Sequence, residues 1–507
     1  MEVMPWLGLL VILAFGLLEP SAGDEECGIS HASMVELQNV LSLATPVSAY
    51  KDLDLMREVY LEAKRGGREV HPEDFKGLRD YGEGGPEEGR RLEEGGPEEG
   101  RSLEERASTL LNKLLAASVG GNPPTTIYDK VVVVGAGPVG LVHATQAALL
   151  GNTVEVFEKR GRHATRDVWF DVASPTVNKL SQNHDSLGFL VKLGMSEFLG
   201  LNETRHENVD GRGGSIWTLP LTGITRFLSI VLAILGVPIT YDHPINTIDP
   251  DPSILTCIAD GASSQIAHSL GIPYVPPPSV VLEGIDFGYP SPHNTLIVTL
   301  SPTNATCPEL RNGRDGKVID PYFPGFVLNH LGVTSIFKRF FHDHCSMQIF
   351  FDTNGARASH EDVVSEALEL LLVEPQGAAA VVTGMNAFSV LPRRLETVGA
   401  RNFIFVGDAS ISAHYRLGIG INHGILMAEK YKGVLTGEMS ASRYNELAYH
   451  DNAAAEMSMA KFIKLESQCN YVLFQDEIFE RVGEGYVEVT PTTAFDHCPP
   501  TAPPPIA

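Results

Sequence analysis

The chain has 507 residues, 43 % hydrophobic and 20 % charged, a balance that can bury a sizeable core in two or three domains or one large two-domain enzyme. Its 63 acids against 38 bases give a formal charge of −25, which excludes a nucleic-acid binder, since that function needs a basic face. Six scattered cysteines with no C-x-x-C pair exclude both a disulfide-dense scaffold and a zinc pattern.

In chain order, residues 1–23 predict a signal peptide. The apolar run PWLGLLVILAFGLL (Pro5 to Leu18) is shorter than the roughly 20 residues a bilayer span needs, and Ser21 and Gly23 are spaced for cleavage after Gly23. The n-region MEVM lacks Lys and Arg, so an uncleaved anchor is the alternative, and membrane association is expected only in that case. Sequons at Asn202 and Asn304 add to the expectation of the secretory pathway, in the ER lumen or outside the cell. Residues 24–80 read as an N-terminal helical segment, from the apolar spacing of MVELQNVLSL and DLDLMREVYLEAKR. Residues 81–106 read as an acidic linker. They hold GGPEEGRRLEE and GGPEEGRSLEE, which differ only at Arg91 and Ser102 and are too polar to build a core. An amphipathic helix, LEERASTLLNKLLAASV, leads into a main domain over 127–474. Residues 475–507 are a tail, Pro-rich and expected to be disordered at its end.

The main domain opens with KVVVVGAGPVGLVHATQAALLGNTVEVFEKR, Lys130 to Arg160. KVVVV has the composition of a strand buried on both faces of a parallel sheet. Gly135, Gly137 and Gly140 form G-x-G-x-x-G: a tight turn, a close approach of backbone to a pyrophosphate, and a close helix–strand contact. Pro138 suits a first helical turn and Gly151 a helix end. The helix amides and dipole then face phosphates, and Glu158 ends the second strand where an acid can bind ribose hydroxyls. Strand, glycines, helix, strand and acid arrive in order, which predicts a nucleotide-binding βαβ unit.

Two further motifs follow. LTCIADGASSQIAHSLGI carries Asp260 and Gly261 after a strand. RNFIFVGDASISAHYRLGIGINHGILMAEKY carries Gly407 and Asp408 at a strand end, then Gly418, Gly420 and Asn422 at the opening of a long helix. The trio, in this order and at these separations, resembles the class A FAD-dependent monooxygenases, including aromatic hydroxylases of the para-hydroxybenzoate hydroxylase type. The start also resembles the flavin domain of MICAL proteins. The resemblance spans roughly Ile127 to Glu456. It implies an α/β fold: an FAD-binding Rossmann-like (GR2-type) domain, an inserted β-sheet substrate domain at about 275–395, and C-terminal helices.

The resemblance also implies roles. Gly135, Gly137 and Gly140 would hold the FAD pyrophosphate, Glu158 the adenosine ribose, and Asp408 the ribityl chain. Arg166 sits near the family's FAD-contacting arginine. Asp260 and Gly261 belong to the motif touching FAD and the nicotinamide cofactor's path, and Gly418, Gly420 and Asn422 lie by the flavin ring. Helix amides there suit the negative charge of reduced flavin. The implied reaction is NADPH- or NADH-driven hydroxylation of a small organic substrate, aromatic ones included, or of a protein substrate by molecular oxygen, through a flavin C4a-hydroperoxide. The segment SISAHYRLG departs from the family. Ile411 and Ser412 stand where His is expected, and His414, Tyr415 and Arg416 replace a proline stretch. His414 and Tyr415 are therefore the catalytic candidates, as proton donors or shapers of the site, with simple loop packing as the alternative. On IWTLPLTGITRFLSIVLAILG, Thr225 and Arg226 are candidate flavin contacts, against the plainer reading of a core helix. Trp169, Phe170, Trp217 and Phe351 are candidate pocket lining. His342 and His344 lack a third ligand at a useful spacing, so no metal is expected. The rival readings are a flavin oxidase or reductase on the same fold and a non-catalytic secreted binding protein. A flavin halogenase is disfavoured because Trp6, Trp169 and Trp217 form no W-x-W-x-I-P-like segment.

Overall fold

The computed structural model describes residues 48–75, 103–118, 126–162, 169–173, 186–195, 216–248, 251–290, 293–302, 322–323, 331, 333–341, 346–353, 362–363, 365, 380–390, 393–396, 402–412, 419–462, 464–465, 472–474, 477–482, 485–491 and 494. The signal peptide, both sequons, the paired histidines His342 and His344, most of the acidic repeat, and the site candidates Arg166, His414, Tyr415 and Gly418 lie outside them.

The strands in chain order are β1 (Lys130–Val134), β2 (Thr153–Phe157), β3 (Trp169–Ala173), β4 (Ile216–Pro220), β5 (Ile239–Thr240), β6 (Ile254–Ile258), β7 (Tyr274–Val275), β8 (Val281–Leu282), β9 (Ile285–Asp286) and β10 (His293–Pro302). They continue as β11 (Tyr322–Phe323), β12 (Val333–Phe341), β13 (Ser346–Thr353), β14 (Ala380–Val390), β15 (Arg393–Leu395), β16 (Phe403–Phe405), β17 (Ile411–Ser412), β18 (Val472–Phe474), β19 (Glu477–Val482) and β20 (Gly485–Val489). The helices are α1 (Ser48–Gly66), α2 (Leu103–Ala117), α3 (Pro138–Leu149), α4 (Ser186–Lys192), α5 (Leu221–Leu235), α6 (Gln265–Ser269), α7 (Ile419–Leu435) and α8 (Ala441–Phe462).

The fold is α/β. Five strands in the order β16-β6-β1-β2-β5 make a sheet whose recorded pairings are all parallel. β1 is its centre because β-branched valines suit a strand covered on both faces, and Val131, Val133 and Val134 are buried. Helix α3 crosses over to β2 and ends at Gly151, whose φ of +90° favours glycine. The edge strand β16 is tied by the Asn445 side chain of α8. Its Nδ2 donates to the Phe403 carbonyl at 3.0 Å, and its Oδ1 accepts from the Phe405 amide at 3.2 Å. A second sheet, β11-β12-β13-β10-β14, is antiparallel and inserted between the parallel strands β6 and β16. It falls within the 275–395 span expected for a substrate sheet. Strand β10, held between β13 and β14, is buried along 295–300.

The N-terminal helices belong to the same core rather than to an appended segment. Met56, Val59, Tyr60 and Ala63 of α1 and Leu110, Leu111 and Leu114 of α2 pack in one apolar cluster with β1, α3 and α5. The Asn112 side chain bridges Val70 by donating to its carbonyl and accepting from its amide, each at 2.8 Å. Lys113 Nζ donates to the Val191 carbonyl in the last turn of α4 at 3.1 Å, and the Tyr60 hydroxyl meets Ser118 Oγ at 2.7 Å. Helix α2 begins at Leu103, inside the second acidic copy, so the linker ends earlier than residue 106. At the other end, β19 and β20 follow Phe474, so ordered structure continues past the boundary read from sequence. Helix α5 has 15 residues, and no described helix is long and apolar enough to cross a membrane.

His143 of α3 is fully buried, its Nδ1 2.8 Å from the Val139 carbonyl and its ring 5.1 Å from that of Tyr431. Burial pushes its pKa down to about 4, against the opposing pull of the bond to Val139. The folded protein thus holds this imidazole neutral, while the unfolded chain protonates it near the ordinary 6.5. The associated stability is present at neutral pH and is lost as pH falls from about 6.5 towards 4. Lowering the pH from 7 to 5 should therefore cost about 2 kcal/mol through this group alone. Urea midpoints at the two pH values are expected to diverge more in the wild type than in His143→Gln; equal divergence would sink the assignment.

Candidate active site

Four neighbouring parallel strands deliver their carboxyl ends to one edge. β1 runs into Gly135, β2 into Glu158, β6 into Ala259 and Asp260, and β16, through Val406, into Gly407 and Asp408. The chain leaves β1 towards β2 on one side, while β6 lies on the other. The point between β1 and β6 is the topological switch where open α/β sheets form a crevice. The loops are pinned to the ladder that precedes them: the Gly135 amide donates to the Phe157 carbonyl at 2.7 Å, Ala259 to Val134 at 2.8 Å, and Val406 to Ile258 at 2.9 Å.

The three glycines of the first loop differ in what they face. Gly135 has φ +108°, and a Cβ there would lie 2.3 Å from the Ala259 carbonyl oxygen. A Cβ on Gly140 would lie 2.1 Å from the Gly135 oxygen, so this glycine lets α3 close on its own turn. A Cβ on Gly137 would meet no atom of the described residues within 4 Å. Its φ of −71° and ψ of 169° are open to any residue, and it is the N-cap of α3 without a capping side chain. The space beside it belongs to no other part of the described protein.

Val139 joins the first and third motifs. A Cβ at Gly407 would approach its side chain to 3.2 Å, and one at Gly424 of α7 to 2.4 Å. Helix α3, the Asp408 turn and α7 are thereby interlocked at one point. The Asp408 carboxylate lies over the start of α7, where a Cβ on Gly420 would come within 2.9 Å of Oδ1. Asp408 itself is exposed, whereas Asn422 and His423 are buried in the helix.

Glu158 is buried and committed within the protein. Its Oε2 accepts from the Ala136 amide of the glycine loop at 2.8 Å, and its Oε1 accepts from the Arg160 amide at 3.0 Å and from Arg160 Nε at 2.9 Å. Burial works to raise its pKa, but the bonds from Arg160 and Ala136 outweigh it and hold the carboxyl below the usual range. A carboxylate offers about four acceptor sites, which leaves about one for a ribose hydroxyl. Asp260 Oδ2 accepts from the Gln265 amide at 2.9 Å, while its buried Oδ1 has no partner. Gly261 next to it has φ +92° and open space around it.

The structure therefore gathers Gly135, Gly137, Gly140, Glu158, Asp260, Gly261, Gly407, Asp408 and Gly420 around one crevice. Other candidates fall elsewhere. The Thr225 hydroxyl is satisfied inside α5 by the Leu221 and Thr222 carbonyls at 3.0 and 3.1 Å. Arg226 is half-buried, and burial lowers its pKa. Phe351 is buried in the inserted sheet, and Trp169, Phe170 and Trp217 lie on the β3–β4 pair. Cys257 of β6 is a buried free thiol whose pKa burial raises. Among the described residues no three His, Cys, Asp or Glu side chains form a metal cluster. Sequence reasoning missed Tyr274 and Arg393, which stack at 4.2 Å beside this crevice. The signal was the pair Arg393-Arg394 in a short strand, where two successive side chains must face opposite ways.

These features meet the demands of a flavin dinucleotide. The empty space at Gly137 admits a pyrophosphate against the first amides of α3, the unpartnered Asp260 oxygen awaits a donor, and Gly261 and Gly420 leave room for close approach.

No family model and no curated protein matches the chain. Among solved structures it is similar to the p-nitrophenol 4-monooxygenase PnpA from Pseudomonas putida DLL-E4, at 16 % identity and a TM-score of 0.47 over 68 % of this chain and 90 % of that one. It is also similar to the flavin-dependent monooxygenase PieE, whose structure holds FAD and substrate, at 14 % identity and 0.48 over 68 % and 65 %. A third is the Diels-Alderase PyrE3 of pyrroindomycin biosynthesis, at 16 % and 0.46 over 67 % and 74 %. Likenesses this distant carry no argument about the reaction, which rests on the crevice itself.

Proposed function

We propose that this chain is an FAD-dependent, NAD(P)H-driven monooxygenase acting on a small organic substrate with molecular oxygen. The observation that carries the reading is the convergence of three separate glycine-and-acid motifs at the carboxyl ends of β1, β2, β6 and β16, around space that no described protein atom fills. Bound FAD would supply the hydride acceptor and the oxygen-activating centre. The chain's own residues bind and orient it. The amides following Gly137 and the α3 dipole hold the pyrophosphate. Glu158 takes a ribose hydroxyl while keeping the Ala136 amide fixed. Asp260 Oδ1 accepts from the ligand, and Asp408 receives a polyol hydroxyl at the mouth of α7. The start of α7 presents backbone amides, whose partial positive charge favours an electron-rich ring. The inserted sheet of β10 to β14 would supply the second wall, where a substrate can be kept from water.

A second reading, a flavin oxidase or reductase, draws on the segment SISAHYRLG, where His414, Tyr415 and Arg416 replace the prolines of the resembled family. One experiment addresses both. The purified protein is expected to carry a flavin absorption spectrum that bleaches on anaerobic addition of NADPH and to form oxygenated product when air is admitted with substrate. Bleaching without oxygenated product would favour the reductase, and a colourless protein that binds no added FAD would reject both.

A further inference from the structure

We propose that Arg393 and Tyr274 form a brace that joins the Asp260 loop to the Asp408 turn, making them positioning residues that hold the two acids of the crevice as one unit. The chain of contacts is continuous. Arg393 Nη2 donates to the Ala262 carbonyl, two residues beyond Asp260. The Arg393 guanidinium lies 4.2 Å from the centre of the Tyr274 ring. The Tyr274 hydroxyl donates to the Ala409 carbonyl, next to Asp408, at 3.4 Å.

The backbone holds both residues at this spot. β15 lies between β17 and β7 in a three-stranded sheet, with Arg393 opposite Ser412 and Leu395 opposite Tyr274. The Leu395 amide donates to the Ser410 carbonyl at 2.8 Å and the Glu396 amide to the Pro273 carbonyl at 3.0 Å. Because neighbouring side chains on a strand face opposite ways, Arg394 turns to the other side and stacks on Tyr449 of α8 at 4.0 Å. Tandem arginines thus fasten β15 in two directions. A guanidinium suits the inner position because its flat face packs on a phenol ring while its edge donates, which a lysine ammonium cannot do together. Both Asp260 and Asp408 act electrostatically on the Tyr274 phenol, as expected if it stands between them.

The brace rests on the flavin reading only for its consequence on ligand binding; its mechanical part is tested without ligand. In the full-length protein, backbone hydrogen exchange reports on the Asp260 loop through the Gln265 amide, bonded to Asp260 Oδ2, and on the Asp408 turn through the Ser410 amide, bonded to the Gly407 carbonyl. Arg393→Gln is expected to speed exchange at both amides about tenfold, the scale of one charge-assisted contact, while the core strand amide of Val133 keeps its rate. Tyr274→Phe keeps the ring under the guanidinium and is expected to loosen Ser410 alone. Arg393→Lys should recover part of the lost protection. Unchanged rates at Gln265 and Ser410, or equal acceleration at Val133, would overturn the brace. FAD titration of the same proteins separates the two proposals. A roughly tenfold weaker affinity in Arg393→Gln supports the positioning role, and unchanged affinity overturns it. Failure of the wild type itself to bind FAD overturns the flavin reading and leaves the exchange result to decide the brace.

Discussion

Gly137→Val should weaken flavin binding about 100-fold and leave the fold intact. The valine Cβ would enter space where no atom of the described residues lies within 4 Å, and the backbone at 137 already has a conformation any residue adopts. The cost to the protein is the loss of a glycine N-cap, about 1 kcal/mol or less. The cost to a pyrophosphate lying in that space is steric overlap, on the order of a 100-fold weaker dissociation constant, or about 2.7 kcal/mol. FAD titration by fluorescence, beside a thermal melt of the apoprotein, separates the two quantities. Wild-type affinity in the variant would remove the pyrophosphate from this loop.

The opposite profile is expected at Gly135→Ala. Here φ is +108°, and the new Cβ would lie 2.3 Å from the Ala259 carbonyl oxygen and 3.2 Å from the Asp260 amide nitrogen. Both are backbone atoms of the adjacent β6 loop and cannot rotate away as a side chain could. Strain at the left-handed position costs about 1–3 kcal/mol. Forcing β1 and β6 apart adds a comparable amount, for a total of about 3–5 kcal/mol against a typical stability of about 5–15 kcal/mol. Chemical denaturation should register this in the absence of any ligand. A variant as stable as the wild type would mean that the β1–β6 contact is looser than the geometry implies.

This contrast bears on how far the sequence could be read. The spacing of Gly135, Gly137 and Gly140 implied three separate jobs, and the structure sets Gly135 and Gly140 against protein atoms and Gly137 towards space clear of the described residues. Such a motif is legible because each glycine answers to a neighbour only a few residues away or to the next strand. The meeting of Asp260 and Asp408 at the same edge followed from parallel-strand logic, which sends successive loops to one side. Contacts set by tertiary placement were not legible. The apolar stripes of α1 and α2 announced helices but not that their partner would be α5, far along the chain. Tyr274 lies in a stretch rich in proline, and nothing near it in sequence pairs it with Arg393, over a hundred residues on, whose guanidinium β15 places against its ring. Glu158 was readable as an acid at a strand end, but its bond to the Ala136 amide depends on the turn geometry of another loop. Leu103 to Glu105 belong to a repeat by composition, yet their Leu-Glu-Glu sequence is an equally good helix opening, and they begin α2, which Asn112 ties to Val70 further along.

The placement of α1 and α2 has a consequence for biosynthesis. Both helices leave the ribosome long before α5, whose apolar face completes their cluster. Roughly 150 residues separate the end of α1 from the start of α5, and at about 5–20 residues per second the wait is on the order of ten seconds or more. For that interval Met56, Val59 and Tyr60 have no native partner on α5 and present a greasy ridge to whatever surrounds the nascent chain. The acidic repeat emerges during the same wait, between α1 and α2, and its excess of glutamates follows that ridge in the sequence as a charged gatekeeper that discourages two growing chains from sticking together.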